Sequence, residues 1–116
     1  MFKLYFSPHA CCTSVHIILE ELELPFELIY VGKYADAELK RVLAKVNPLQ
    51  TVPVLEFMDG RVITQSTAIL LYLAENHPKS NLLGVAESSV KTELVKWLSF
   101  VASDVHKAFS PLFLLD

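Results

Sequence analysis

The chain has 116 residues, of which 53% are hydrophobic and 20% are charged, and its formal net charge is −3. This length and composition predict one folded domain with a buried core. The chain is too short for two full domains. Its composition excludes an intrinsically disordered chain. The small excess of acidic residues, without a basic stripe, argues against binding to nucleic acid.

The cysteines and the absence of targeting signals indicate the compartment. The first eight residues contain a single basic residue, Lys3, and their apolar run is too short for a signal peptide. No stretch approaches the roughly 18 apolar residues of a membrane span. The two cysteines, Cys11 and Cys12, are adjacent and cannot join distant segments, which favours a reducing compartment. We therefore expect a cytoplasmic protein without membrane association.

The first half of the chain predicts a β-α-β unit followed by a helix. An apolar strand at Phe2–Phe6 precedes a helix from Cys12 to about Glu23, and a second strand follows at Phe26–Val31. Two strands joined by one helix should be parallel, with a right-handed crossover. A second helix is expected from Asp36 to about Val46.

The next segment predicts a hairpin and a third helix. Strands at Val52–Phe57 and Arg61–Ile63 flank the turn signal Asp59-Gly60, so these strands should be antiparallel. A helix follows from Ser66 to about Asn76. The order βαβ-α-ββα is that of an α/β, thioredoxin-like fold, in which helices flank a mixed four-stranded sheet.

A linker and one long helix complete the sequence. Residues 79–85 are predicted to form the linker, and a helix with an apolar stripe is expected from about Glu87 to Phe109, ended by Ser110-Pro111. One helix after a complete α/β unit usually begins a second, all-helical domain. We therefore expect a thioredoxin-like domain at residues 1–78 and the incomplete start of an all-helical domain at residues 86–116.

Cys11 is the first candidate for a functional residue. It follows the Ser7-Pro8 turn and lies at the predicted start of a helix, where unpaired backbone N–H groups favour a thiolate over a thiol. A thiolate there can attack, exchange or bind a sulfur ligand. The alternative role, a small buried apolar residue, is favoured for Cys12, which faces another direction. The cysteines and the four histidines lack the spacing of a zinc site, so no metal is expected.

Four segments carry a resemblance to a known family. They are Ser7-Pro8-His9-Ala10-Cys11, Asn47-Pro48-Leu49-Gln50-Thr51-Val52-Pro53-Val54-Leu55, Gln65-Ser66-Thr67-Ala68-Ile69, and the segment from Trp97 to Phe113. Together they resemble cytosolic glutathione transferases over essentially the whole chain, and the last segment is most similar to the bacterial beta class. The resemblance implies a thioredoxin-like domain, a helical domain of which only the first helix is present here, glutathione as co-substrate, and a homodimer.

The resemblance also implies a glutathione site in the thioredoxin-like domain. Cys11 would lie at the glutathione sulfur, and Val52-Pro53, with a cis peptide bond, would pair with the cysteinyl backbone of the tripeptide. Gln65 and Ser66 would hold its γ-glutamyl end, since a helix N-terminus attracts a carboxylate. Ser66 is in addition a suitable N-cap residue by type. Many relatives have an acid at position 65, so glutamine here weakens one charge pairing.

Further candidates lie on the last helix. Ser99, Ser103, His106 and Lys107 form a polar stripe at helical spacing. The pattern alone favours a solvated helix face. The resemblance favours a wall of the active-site cleft, with Ser103 and His106 at the glutathione and His106 catalytic together with Cys11. Ser99 departs from the asparagine that is usual in the family.

Three other residues are weaker candidates. Tyr5 and Ser7 have hydroxyls that could activate glutathione in place of Cys11, although a strand residue and a turn residue explain them more simply. Lys33 could reach the glycyl carboxylate of glutathione, but its loop differs in length from those of relatives.

The favoured function is that of a glutathione transferase, which conjugates glutathione to small electrophiles by stabilising and aligning the thiolate. Two alternatives stay open. Cys11-Cys12-Thr13-Ser14 has the Cys-x-x-Ser spacing of a glutaredoxin-like, glutathione-dependent thiol transferase or peroxidase, and a non-catalytic binding protein can use the same fold. The sequence does not specify the electrophile, because pocket walls diverge on a constant fold.

Overall fold

The structure, a computed structural model, describes residues 1–84 and 88–113, without the side chains of Ser88 and Phe113. Its first elements are β1 (Phe2–Phe6), α1 (Cys12–Glu21), β2 (Phe26–Tyr30), α2 (Ala37–Val46), β3 (Val54–Glu56), β4 (Val62–Thr64) and α3 (Ser66–Glu75). A 3₁₀ turn at Pro78–Ser80, α4 (Ser88–Phe100), a π-helical turn at Val101–Val105, α5 (His106–Ala108) and α6 (Ser110–Phe113) follow. The predicted order βαβ-α-ββα is confirmed, with bounds that agree within two residues.

The four strands form one mixed sheet in the order β2-β1-β3-β4. β1 and β2 are parallel, with Phe2 opposite Phe26, as a β-α-β unit requires. β3 runs antiparallel to both β1 and β4, and Leu55 is opposite Leu4 on one side and Ile63 on the other. The hairpin and the thioredoxin-like α/β fold are therefore as predicted.

Apolar side chains pack on both faces of this sheet. Alternate residues of β1 point to opposite faces, so Leu4 belongs to one cluster and Tyr5 to the other. The cluster beneath α1 and α3 is formed by Leu4, Val15, Leu19, Leu55, Ile69 and Leu73. The cluster on the α2 side is formed by Tyr5, Val31, Leu43 and Val54. This packing fixes the ends of β1 and β3, where the candidate residues lie.

By its internal contacts the chain divides into two compact units, Met1–Leu73 and Ala74–Asp116. The predicted domains and linker stay a prediction. In the described part of the linker, Asn81 follows the 3₁₀ turn in a left-handed conformation, and residue 85 lies outside the described residues. Among the residues that are described, no helix has both the length and the apolar character needed to cross a membrane.

The last helix differs from the prediction of one continuous α-helix between about Glu87, which lies outside the described residues, and Phe109. A π-helical turn at Val101–Val105 separates α4 from α5. The hydroxyl of Ser103 donates a hydrogen bond to the Ser99 carbonyl oxygen at 2.5 Å, and such bonds compete with the backbone ladder. Ser110-Pro111 begins α6 instead of ending the helical segment, because proline is tolerated in a first helical turn.

Candidate functional site

Cys11 lies where β1 leads into α1, at the N-cap position of the helix. The residue is half-buried, and its Sγ donates a hydrogen bond to the carbonyl oxygen of Val52 at 3.3 Å. The first N–H groups of a helix lack intrahelical partners, and the helix dipole makes this end positive. The structure thus places a free thiol at a positive helix end, facing a backbone atom of another loop.

Two further hydrogen bonds fix the backbone of Cys11. Its carbonyl oxygen accepts one from Ser14 Oγ in α1 at 2.9 Å and a longer one from Ser66 Oγ, at the start of α3, at 3.5 Å. Three of the residues selected from the sequence, Cys11, Val52 and Ser66, therefore lie together. Gln65 precedes Ser66 in the chain, and its side chain is exposed.

Gln65 occupies the N-cap position of α3, so the prediction that Ser66 is the N-cap is wrong. The helix begins at Ser66, and the carbonyl oxygen of Gln65 accepts a hydrogen bond from the Ile69 N–H at 3.0 Å. Gln65 has a φ of 75°, a left-handed conformation that residues other than glycine rarely adopt. The Ser66 hydroxyl contacts the backbone of Cys11 instead of capping its own helix.

The peptide bond between Val52 and Pro53 is cis, as the resemblance implied. Pro53 is buried, and the half-buried side chain of Val52 packs against the cluster on the α2 side. The third strand begins at Val54, two residues later than predicted. The Val52 carbonyl therefore lies before the strand, where it accepts the hydrogen bond from the Cys11 thiol.

Cys12 differs sharply from its neighbour. It is 2% exposed, and its Sγ donates a hydrogen bond to the Ser7 carbonyl oxygen at 3.0 Å and accepts one from the Ser7 N–H at 3.4 Å. Burial raises the pKa of the Cys12 thiol above its usual value. The predicted structural role of Cys12 is confirmed. Within residues 1–84 and 88–113, no cluster of three or more His, Cys, Asp or Glu residues could hold a metal ion.

The Tyr5 hydroxyl is buried and hydrogen-bonded within the fold. It donates a hydrogen bond to Glu56 Oε1 at 3.0 Å, and burial together with this carboxylate raises the pKa of Tyr5 to about 12. A phenol in that setting stays protonated at neutral pH and is already bonded. The other weak candidate, Lys33, is exposed, with its Nζ 5.7 Å from the ring centroid of Tyr34.

Backbone conformation at the site was not foreseen from the sequence. Among the described residues, five non-glycine residues have a positive φ, and three of these, His9, Gln50 and Gln65, lie within two residues of Cys11, Val52 or Ser66. Conformations of this kind concentrate at functional sites. Sequence reasoning also missed the buried side chain of Asn47, for which the available signal was an Asn-Pro pair directly after a helix.

The candidates of the second unit lie on its helices. Ser103 belongs to the π-helical turn and bonds to Ser99, while the half-buried His106 begins α5. Ser99, Ser103 and Lys107 are exposed. Because a π-helical turn adds a residue to the turn, the uniform helical stripe assumed for these four residues is wrong. The roles of Ser103 and His106 at glutathione stay predictions.

Known proteins resemble this chain in sequence and in fold. The sequence profile of the family described as "Glutathione S-transferase, N-terminal domain" matches residues 8–76. The chain is 36% identical over 119 residues to the glutathione S-transferase GstA of Escherichia coli O157:H7, covering 98% of this chain and 57% of that protein.

Two solved structures are similar along nearly the whole chain. A sphingomonad glutathione S-transferase complexed with glutathione has a TM-score of 0.81 and 37% identity, covering 96% of this chain and 56% of that one. The bacterial beta class glutathione S-transferase of Sphingomonas chungbukensis has a TM-score of 0.84 and 34% identity, covering 98% of this chain and 57% of that one. The chain therefore spans little more than half the length of each of these three proteins.

Proposed function

The chain belongs to the glutathione S-transferase family, and from this premise we propose that it binds glutathione where Cys11, Val52 and Ser66 meet. The observation that supports this most is the 3.3 Å contact between Cys11 Sγ and the Val52 carbonyl oxygen. It joins a helix N-terminus to a loop backbone within reach of one small ligand. Glutathione is supported as the ligand by the structure of a related sphingomonad enzyme in complex with glutathione.

The cysteinyl and γ-glutamyl parts of the tripeptide each have a chemically suitable partner in the first unit. The backbone of Val52, followed by the buried Pro53, would pair with the cysteinyl residue of glutathione as an added strand does. The N-terminus of α3 would attract the γ-glutamyl carboxylate to Gln65 and Ser66. The thiol of glutathione would then lie at Cys11, beside the positive end of α1.

The proposed reaction is conjugation of glutathione to a small electrophile. The glutathione sulfur forms a bond to an electrophilic carbon, the carbon releases a leaving group, and the thiol proton passes to solvent. The residues of this chain would hold the sulfur close to its target, which lowers the entropic part of the barrier. We include Ser103 and His106 as predicted contributors, with His106 polarising a water or thiol near that sulfur.

Thiol transfer is a second candidate, favoured by the position of Cys11. Its half-buried, free thiol has Ser14, not a second cysteine, three residues on, and Ser14 Oγ donates a hydrogen bond to the Cys11 carbonyl oxygen. The Cys11 thiolate would attack glutathione disulfide, form a mixed disulfide and release one glutathione thiolate. Turnover of a glutathionylated peptide, measured against turnover of an aryl halide, separates the two activities.

We also propose that the protein acts in the cytoplasm as a homodimer of the beta class type. Both cysteines are free thiols, which suits a reducing compartment. Similarity to a beta class structure supports the class. Sedimentation velocity of the protein at micromolar concentration tests the dimer, and a single monomeric species would contradict it.

The role of Cys11 is tested by mixed-disulfide formation. The wild-type protein is treated with glutathione disulfide and its mass is measured, beside Cys11→Ser and the matched variant Cys12→Ser. We expect one glutathione adduct in the wild type and in Cys12→Ser, and at least a tenfold smaller fraction in Cys11→Ser, because the buried Cys12 thiol is poorly reactive. An unchanged adduct in Cys11→Ser would refute the proposed role.

A further inference from the structure

The polar side chain of Asn47 is buried, with 3% exposure. The residue directly follows α2, and its side-chain amide forms hydrogen bonds within the loop that leads to the candidate site. Its Nδ2 donates hydrogen bonds to the Thr51 carbonyl oxygen at 2.9 Å and to Thr51 Oγ1 at 3.2 Å. Its Oδ1 accepts one from the Leu49 N–H at 3.1 Å. One side chain therefore bonds to the middle and to the last residue of the loop from Asn47 to Thr51.

The backbone of Asn47 takes part in the same loop. Its N–H donates a hydrogen bond to the Leu43 carbonyl oxygen at 2.8 Å, which ties it to α2, and its carbonyl oxygen accepts one from the Gln50 N–H at 2.8 Å. Gln50 is left-handed, with a φ of 54°. A loop with this conformation depends on internal bonds, since the chain would not adopt it by preference.

The residue after this loop is Val52, whose carbonyl oxygen faces the Cys11 thiol. Asn47 bonds to the carbonyl oxygen of Thr51, the residue before Val52, and so restrains it. The peptide groups that carry the Thr51 and Val52 carbonyls meet at the Val52 α-carbon, so loss of the bond to the Thr51 carbonyl removes a restraint on the direction of the Val52 carbonyl.

We propose that Asn47 is a positioning residue that sets the reactivity of Cys11 by holding the Val52 carbonyl against its thiol. The sulfur that donates this bond is held 3.3 Å from the carbonyl oxygen, which restrains its approach to a reagent in the free protein. The same Val52 carbonyl belongs to the backbone segment that would pair with the cysteinyl residue of glutathione. This part of the inference rests on the proposed function. Loss of the Asn47 amide would weaken the bond between the Cys11 thiol and the Val52 carbonyl oxygen. It would also shift the Val52 backbone away from the position in which glutathione would pair with it.

The test is the alkylation of Cys11 by iodoacetamide, which needs no glutathione. The sulfur forms a bond to the acetamide carbon, iodide leaves, and the thiol proton passes to buffer. Asn47→Asp keeps an acceptor for the Leu49 N–H and loses the donor to Thr51. Asn47→Ser also keeps an acceptor, and its hydroxyl, on a shorter side chain, replaces the amide that reaches the Thr51 carbonyl oxygen. We expect Cys11 to be alkylated about three to five times faster in these variants at neutral pH. Cys12, buried in the folded protein, is the internal reference for folding.

Two further variants complete the comparison. Leu49→Ala removes an exposed side chain from the same loop and should leave the rate for Cys11 unchanged. Thr51→Val removes the 3.2 Å bond alone at an exposed position, and we expect an increase of about twofold. If Cys12 is alkylated together with Cys11 in an Asn47 variant, that variant is no longer fully folded. The inference is then judged on the alkylation rate of Cys11 in Thr51→Val.

Unchanged alkylation of Cys11 in every folded variant would overturn the inference, whatever the affinity for glutathione. Calorimetric titration with glutathione separates the two proposals. Faster alkylation with an affinity at least fivefold weaker supports both of them. Faster alkylation in variants of a wild-type protein that shows no heat with glutathione retains the positioning role and refutes the proposed function.

Discussion

Neighbouring thiols in this chain have opposite environments. Cys11 Sγ is half-buried at the N-cap of α1 and bonds to a carbonyl from a distant loop, whereas Cys12 Sγ is enclosed and bonds to both backbone groups of Ser7. One step along the helix turns a side chain by about a quarter of a revolution. We therefore propose Cys11 as the reactive thiol, whereas Cys12 bonds to the turn that precedes it.

Tyr5 gives a prediction at the same scale, in the pH dependence of stability. Its pKa is raised to about 12 in the folded protein, so the folded state keeps the phenolic proton to higher pH than the unfolded state does. The free energy of unfolding should be unaffected by Tyr5 below pH 10 and should fall by about 1.4 kcal/mol per pH unit between pH 10 and about 12. Urea unfolding at several pH values measures this.

Tyr5→Phe is the control, because it keeps the ring and removes the ionisable group. We expect the variant to lose this part of the pH dependence while it retains the contact of Glu56 with Lys3, whose charged atoms are 3.8 Å apart. Identical slopes for both proteins above pH 10 would show that the Tyr5 proton is not responsible.

Among the elements, α1 ends in an unusual way. The helix was expected to extend to about Glu23, but it ends at Glu21, in a turn where Glu23 has a φ of 54°. The Leu24 N–H donates to the Leu19 carbonyl oxygen at 3.1 Å and the Glu23 N–H to that of Glu20 at 3.0 Å. This is the Schellman arrangement, in which glycine is the usual left-handed residue.

Glu23→Gly should therefore stabilise the protein. Glycine relieves the left-handed strain, which costs other residues about 1–2 kcal/mol, and loses part of that gain through its greater freedom when unfolded. We expect the free energy of unfolding to rise by about 0.5–1 kcal/mol in chemical denaturation. Glu20→Gly, the same change inside α1, should lower it by about 1 kcal/mol. Equal losses in both variants would contradict the assignment of strain to Glu23.

On the scale of the molecule, the first unit is organised around a sheet with apolar clusters on both faces. Leu55 and Val54 are adjacent in β3, fully buried, and belong to opposite clusters. Because successive side chains of a strand point to opposite faces, neighbouring residues of β3 pack into the cluster beneath α1 and α3 and into the cluster on the α2 side. The loops that carry Cys11 and Val52 are attached to β1 and β3, which pair within this packed sheet.

Leu55→Ala tests this central packing. The loss of a buried leucine side chain should lower the free energy of unfolding by about 2–5 kcal/mol, as measured by urea denaturation. Met58→Ala, in the same hairpin but at a residue that is 85% exposed, should change it by less than about 0.5 kcal/mol. Similar losses in the two variants would argue against Leu55 as part of the core.

Prediction from the sequence succeeded where a signal is local. Asp59-Gly60 predicted the hairpin, and the family resemblance carried by the motif around Val52-Pro53 implied the cis bond. It failed where a residue's conformation depends on distant neighbours. The N-cap position of Gln65 and the π-helical turn at Val101–Val105 carry no distinct pattern of residue types.

The sequence by itself determined the order of the elements, the direction of the strands and the family, because periodicity, turn residues and short motifs are properties of neighbouring residues. The tertiary structure decided which groups meet: the Cys11 thiol and the Val52 carbonyl, and the Tyr5 hydroxyl and Glu56. These partners lie 41 and 51 residues apart in the chain. Their contacts form only when several elements pack together, since a hydrogen bond depends on the distance and angle between its atoms.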